Sequence, residues 1–321
     1  MTVRRLAVAA TIATLLSAFV GVGQAVADPD MRLSAANKIM VPDGVAASYA
    51  VYDRQKKRYT ALRNPHQQFR SASIVKLLIA LDYLTQHHPE LVLENATTDE
   101  QRLEVLALRT MLRGSWDYAA SLFWVKDGYN DVIQRMVALI GLRDTEPPQD
   151  RKFWGYTATS ATDVVKTYNY ILDRAPAEYR EFIMGNLHAS TRCAEDSRDQ
   201  SFGIPSGYVP PWAVKQGWSG WGVTVPKPEK CSESRVDEVN IGHFAGELPA
   251  MKEPTDTPDL VSPLLHTTGT LGAGERNVVV LFTTYPAKTT WRQGTSVITK
   301  LAQHLKPFIH GVQAAHDQLG S

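Results

Sequence analysis

The chain predicts an α/β fold of the α+β kind. An antiparallel sheet is built from both chain ends and flanked by helices, and an all-helical subdomain is inserted between them. Three observations predict it. Strand-like runs bounded by turn residues lie soon after the start and again before the end. The stretch between them carries helical periodicity. No repeat or low-complexity segment interrupts the pattern. Strands separated in this way pair most simply as one sheet, with the intervening helices packed on it.

The elements follow in order. Residues 1–27 read as a secretory signal: Arg4 and Arg5, an apolar run from Leu6 to Val22, and the small residues Ala25-Val26-Ala27 before Asp28. No cysteine follows the apolar run, which argues against a lipid anchor, and no later stretch is apolar enough to span a bilayer. The mature chain, 28–321, is expected as one exported domain. Two strands, 45–53 and 58–63, flank a polar turn and make a hairpin. An apolar helix is expected over 73–88, with His87 and His88 at its solvated end. Helical patterns continue over 98–113, 116–125, 129–140, 161–175 and 176–188, with Asp163 and Pro176 as helix-start residues. The inserted subdomain spans about 90–205. A strand over 212–218, a long irregular loop over 219–262, a hairpin of 264–271 and 277–284, and a helix over 291–309 complete the chain.

Composition narrows the partners. Lysines and arginines number 34 against 33 acidic residues, a net charge of +1 over 321 residues. Nothing in that balance draws the chain to nucleic acid or to a membrane surface once the signal is removed. No His/Cys cluster has metal-ligand spacing, so no metal and no cofactor is expected. Cys193 and Cys231, both in the exported part, are expected to pair in an oxidising compartment. The mature chain is read as a monomer.

The chemistry centres on Ser73-Ile74-Val75-Lys76. A hydroxyl and an amine at i and i+3 share one helix face. A serine needs a neighbouring base to become a nucleophile. A lysine is such a base only where its surroundings disfavour the ammonium, as burial does. Leu77, Leu78 and Ile79 after Lys76 supply that burial. Two further segments carry polar groups in suggestive places: Ser115-Trp116-Asp117 between two helices, and Lys215-Gln216-Gly217-Trp218 on a strand.

In their order, spacing and local context these three segments resemble the S-x-x-K, S-x-N and K-T-G motifs of the serine β-lactamase and penicillin-binding protein superfamily. The resemblance runs from about residue 45 to 302. It implies a secreted serine hydrolase that acylates Ser73 with an amide or ester, such as a β-lactam or a cell-wall peptide. By the same resemblance Lys76 takes the Ser73 proton and Ser115 passes it to the leaving group. Lys215 binds a substrate carboxylate and keeps Lys76 neutral, and Gln216 donates to that carboxylate. Gly217 lets the substrate approach the strand, and the Ser73 and Trp218 N–H groups form an oxyanion hole.

The departures from the motifs carry information of their own. Asp117 stands at the substrate-binding position where the family has asparagine, and a carboxylate there is expected to pair with Lys76 and hold it charged. Trp116 stands where the family has an acid. Gln216 replaces a threonine or serine. His266-Thr267-Thr268-Gly269 competes for the third motif, but His266 fits better on the neighbouring strand. No E-x-x-L-N motif lies between Gly141 and Asp163, and Asp144, Glu146 and Asp150 do not replace its glutamate. A poor β-lactamase is therefore expected. The alternative is a catalytically impaired member that binds peptidoglycan fragments or a protein partner.

Overall fold

The computed structural model describes residues 39–222, 224–232, 261–313 and 315. The expected signal, and most of the 219–262 stretch, lie outside the described residues.

Five strands form one antiparallel sheet in the order β2-β1-β7-β6-β5. They are β1 (Ala46–Asp53), β2 (Arg58–Arg63), β5 (Trp212–Ser219), β6 (Leu264–Leu271) and β7 (Asn277–Thr284). The sheet joins both chain ends as predicted, with β1 paired to β7 along its whole length. A second ladder of two residues each, β3 (Phe69–Arg70) with β4 (Ala158–Thr159), was not legible in the sequence.

The helices are α1 (Lys76–His87), α2 (Asp99–Arg113), α3 (Asp117–Lys126), α4 (Asn130–Ile140), α5 (Ala161–Asp173), α6 (Ala177–His188), the single turn α7 (Ile204–Gly207) and α8 (Trp291–His304). Capping boxes start α2 and α8, with Thr98 against Gln101 and Thr290 against Gln293. Ser160, not Asp163, caps α5. The Asp163 carboxylate turns back to accept from the N–H groups of Arg143 and Asp144. Pro176 is the cap of α6 as expected. His87 and His88 are not merely solvated: His87 Nε2 lies 2.6 Å from the buried carboxylate of Asp127, and His88 pairs with the Tyr179 hydroxyl.

Strand alternation sends side chains to two apolar cores. Val278, Val280 and Phe282 of β7 face the larger one, with α1 to α6. Val279 and Leu281 face the smaller, with Ile298, Leu301 and Ala302 of α8. Because α1 to α6 share a core with one sheet face, the helical region is continuous with the sheet layer. The first half of α1 is buried on all sides, which explains the apolar run after Lys76. Among the described residues no helix is long and apolar enough to cross a membrane.

Candidate active site

Ser73 lies in a 3-10 turn, Ala72–Val75, that leads directly into α1. The turn is pinned from behind, since Ser71 N–H donates to the Thr157 carbonyl at 2.8 Å and β3 pairs with β4. Ala72, just before the serine, has φ +45°, and Ser115 has φ +58°. Left-handed backbone at non-glycine residues costs of order 1–3 kcal/mol each and gathers at functional sites. Both positions here flank or form the expected site.

Lys76 is fully buried at the first turn of α1. Its Nζ donates to Ser73 Oγ at 2.8 Å, to the Ser115 carbonyl at 2.6 Å and to Asp117 Oδ1 at 2.5 Å, with Ser115 Oγ at 3.3 Å. Lys215 Nζ reaches Ser115 Oγ at 2.9 Å from the opposite side. The Ser115 hydroxyl thus stands between two lysines. Burial lowers the pKa of both. For Lys76 the Asp117 carboxylate opposes the shift. Lys215 is driven well below its ordinary value, first by burial and then by the charge of Lys76.

The structure brings together Ser73, Lys76, Ser115, Asp117 and Lys215. It does not bring Gln216 to the cleft. Side chains alternate along β5, so Lys215 and Gly217 share one face and Gln216 and Trp218 the other. The Gln216 amide is buried and donates to the carbonyls of Gln200 and Phe202 at 3.1 and 2.5 Å. The expectation that it meets a substrate carboxylate is corrected. The Trp218 indole also points away from Lys215, donating to Asp196 Oδ2 at 2.8 Å and packing against Phe202 and Trp291.

At Gly217 the close approach present is one within the chain itself. A Cβ there would lie 3.1 Å from the Ser71 carbonyl and 3.2 Å from Ile74 Cγ1. The chain's own nucleophile turn occupies the space a side chain would need. Gly217→Ala is expected to lower stability by about 1–3 kcal/mol through overpacking. It should also slow covalent labelling of Ser73, because relief of the clash moves the turn. Thermal melting and labelling rates measured together check this.

His266 sits on β6 opposite Gly217, as preferred over a place in the third motif. It is fully buried, with Nε2 2.9 Å from the Arg70 carbonyl, and burial brings its pKa down to about 4. It is a neutral structural ring behind the nucleophile turn.

Two contributors were missed from sequence. The Trp154 ring lies over Lys76 Nζ, 4.8 Å from its centroid. It stands in the 141–163 segment, where no motif marks an aromatic. Asp196 is close enough for its charge to act on Lys76. No motif flags it, because folding of the 193–199 turn alone brings it there. The carboxylates of 141–163 are engaged elsewhere or turned outward. Asp144 pairs with His66 and Ser160, Glu146 is exposed on a β-bridge to Ala158, and Asp150 accepts from Lys152 N–H. Cys193 and Cys231 form the expected disulfide. Among the described residues no group of three or more His, Cys, Asp or Glu side chains is placed to hold a metal.

Comparison with known proteins bears on the fold. No family model matches the chain. It is 37% identical over 179 residues to the proteins named "Putative lipoprotein LppW" of Mycobacterium tuberculosis and Mycobacterium bovis, which covers 54% of this chain. The chain spans about half the length of the curated relatives it matches, 54% of each. Among solved structures it resembles PBP-A, with a TM-score of 0.56 at 10% identity over 88% of this chain and 96% of that one. A PBP-A variant described as an acyl-enzyme complex with penicillin G gives 0.57 at 10% identity, over 87% of this chain and 95% of that one. A class A β-lactamase representative from Bacteroides cellulosilyticus gives 0.58 at 10% identity, covering 87% of this chain and 98% of that one. With its sheet of both chain ends and its nucleophile turn ahead of a buried helix, the chain has the fold of the serine β-lactamases and penicillin-binding proteins.

Proposed function

We propose that the protein is an exported serine hydrolase that forms an acyl-enzyme at Ser73 with an amide or ester, from a small molecule or a cell-wall peptide. The observation that carries this reading is the 2.8 Å bond between Ser73 Oγ and the buried Lys76 Nζ, continued through Ser115 to Lys215. Ser73 Oγ attacks the acyl carbon and its proton leaves through Lys76. The C–N or C–O bond breaks as Ser115 Oγ protonates the leaving group. The N–H groups of Ser73 and Trp218 hold the oxyanion, where one donor is worth about 10²- to 10³-fold. Hydrolysis of a β-lactam acyl-enzyme is slow in this reading, because the carboxylates of 141–163 are engaged elsewhere or exposed.

One observation favours a second reading, a binding-only member of the fold. Asp117 lies 2.5 Å from Lys76 and favours the ammonium, which cannot accept a proton. Intact-mass spectrometry after exposure to a penicillin and to a fluorophosphonate separates the two. The hydrolase reading expects a stable adduct that is absent from Ser73→Ala. Penicillin consumed without an adduct would indicate an efficient β-lactamase, and neither adduct nor turnover would leave the binding-only reading.

A further inference from the structure

We propose that Lys215, rather than Lys76, is the neutral amine of the resting site and the final acceptor of the Ser73 proton, with Lys76 remaining an ammonium that relays it. This rests on the hydrolase reading above and changes which residue is its base.

The argument starts from what faces each amine. Lys76 Nζ meets the Asp117 carboxylate at 2.5 Å and the Ser115 carbonyl at 2.6 Å. The Trp154 ring face lies 4.8 Å away, and the charge of Asp196 reaches it as well. A carboxylate, a carbonyl and a ring face all favour the ammonium over the amine. Lys215 Nζ is equally buried, yet among the described residues its partners are a hydroxyl, Ser115 Oγ at 2.9 Å, and a carbonyl, Gln216 O at 3.5 Å. The Asp117 charge reaches Lys215, but its carboxylate contacts Lys76. Two ammonium groups on either side of one hydroxyl repel each other, and among the described residues the carboxylate in direct contact is on Lys76. The proton belongs on Lys76.

The relay balances. Ser115 Oγ gives its proton to Lys215 Nζ across 2.9 Å and takes one from Lys76 Nζ across 3.3 Å. Lys76 then takes the Ser73 proton across 2.8 Å as Ser73 Oγ bonds to the acyl carbon. The net transfer is from Ser73 to Lys215, and Lys76 ends as it began. When the bond to the leaving group breaks, Ser115 protonates it and Lys215 returns the proton to Ser115. Lys215 in this scheme is a proton carrier and not a carboxylate anchor, which agrees with Gln216 facing away from the cleft.

The test has two arms. Lysine-selective ¹⁵N labelling reads the charge at each Nζ at pH 7, with the signals assigned by their loss in Lys76→Met and Lys215→Met. The expected result is an ammonium at Lys76 and a neutral amine at Lys215, and the reverse, or two ammonium groups, overturns the proposal. This arm does not depend on turnover. The second arm measures acylation by two aryl esters that differ only in a carboxylate. Lys215→Met should slow both by the same factor, about 10²- to 10⁴-fold, as for loss of a proton-transfer group. Lys215→Arg, which supplies a fixed positive charge and no usable base, should rescue neither. Loss confined to the carboxylate ester, or rescue by arginine, would make Lys215 an anchor. A neutral Lys215 in a wild-type protein that no ester acylates would overturn the hydrolase reading while leaving the charge assignment standing.

Discussion

Asp117→Asn is expected to raise the acylation rate of Ser73 at pH 7 by about 10²-fold, within the range that a correctly protonated base supplies. In the wild type the proton on Lys76 must first move through Ser115 before the Ser73 proton can be taken. An asparagine offers no charge to hold it. Burial of the Lys76 Nζ then favours the amine, and the nearest base to Ser73 Oγ becomes available directly. An amide at 117 also supplies a donor, which an ionised carboxylate lacks. The variant should fold normally. The Asp117 side chain is 72% exposed, and the buried Lys76 can shed its proton once the carboxylate is gone, so no unpaired charge is left inside. Stopped-flow acylation with an uncharged aryl ester, beside a thermal melt, reads both quantities. A rate equal to or below that of the wild type at an unchanged melting temperature would show that the Asp117 pair does not restrain Lys76.

What could be read from the sequence, and what could not, divides along a physical line. The hairpin of β6 and β7 and the strand β2 came out at their observed bounds, because alternation and turn residues are local signals. The start of α2 after Thr98 was likewise written in local capping chemistry. The pairing of Ser73 with Lys76 follows from helix geometry, and the Asp117–Lys76 contact follows from the motif order, so both were legible. Gln216 departs from its expected place because the resemblance assigns substrate roles to consecutive residues of one strand. A strand turns every second residue away, and the resemblance to threonine hid that alternation. The role of Gly217 depends on how closely the nucleophile turn packs on the β5 edge, and the positions of Trp154 and Asp196 depend on loops folding across the site. None of these leaves a local signal in the residues themselves.

The largest stability effect is expected at Cys193–Cys231. The bridge closes a separation of 38 residues, and loss of its constraint on the unfolded chain costs about 4 kcal/mol in the loop-entropy account. For a domain of this size that corresponds to a fall in melting temperature of about 7 °C. The effect should also reach the site. Cys193 N-terminal to the turn and Cys231 beyond it bracket the 194–200 segment, and Cys231 N–H donates to the Ser197 carbonyl at 2.9 Å. That segment places Asp196 against the Trp218 indole and presents the Gln200 carbonyl to Gln216. Both contacts fix the far face of β5, and therefore the direction in which Lys215 points. The double variant Cys193→Ser/Cys231→Ser should thus lose acylation rate at 20 °C, well below its melting transition, in addition to melting earlier. A lower melting temperature with an unchanged rate would confine the bridge to global stability and leave the orientation of β5 to the β6 ladder alone. An unchanged melting temperature would mean that the segment between the two cysteines is held as firmly by its hydrogen bonds as by the covalent link.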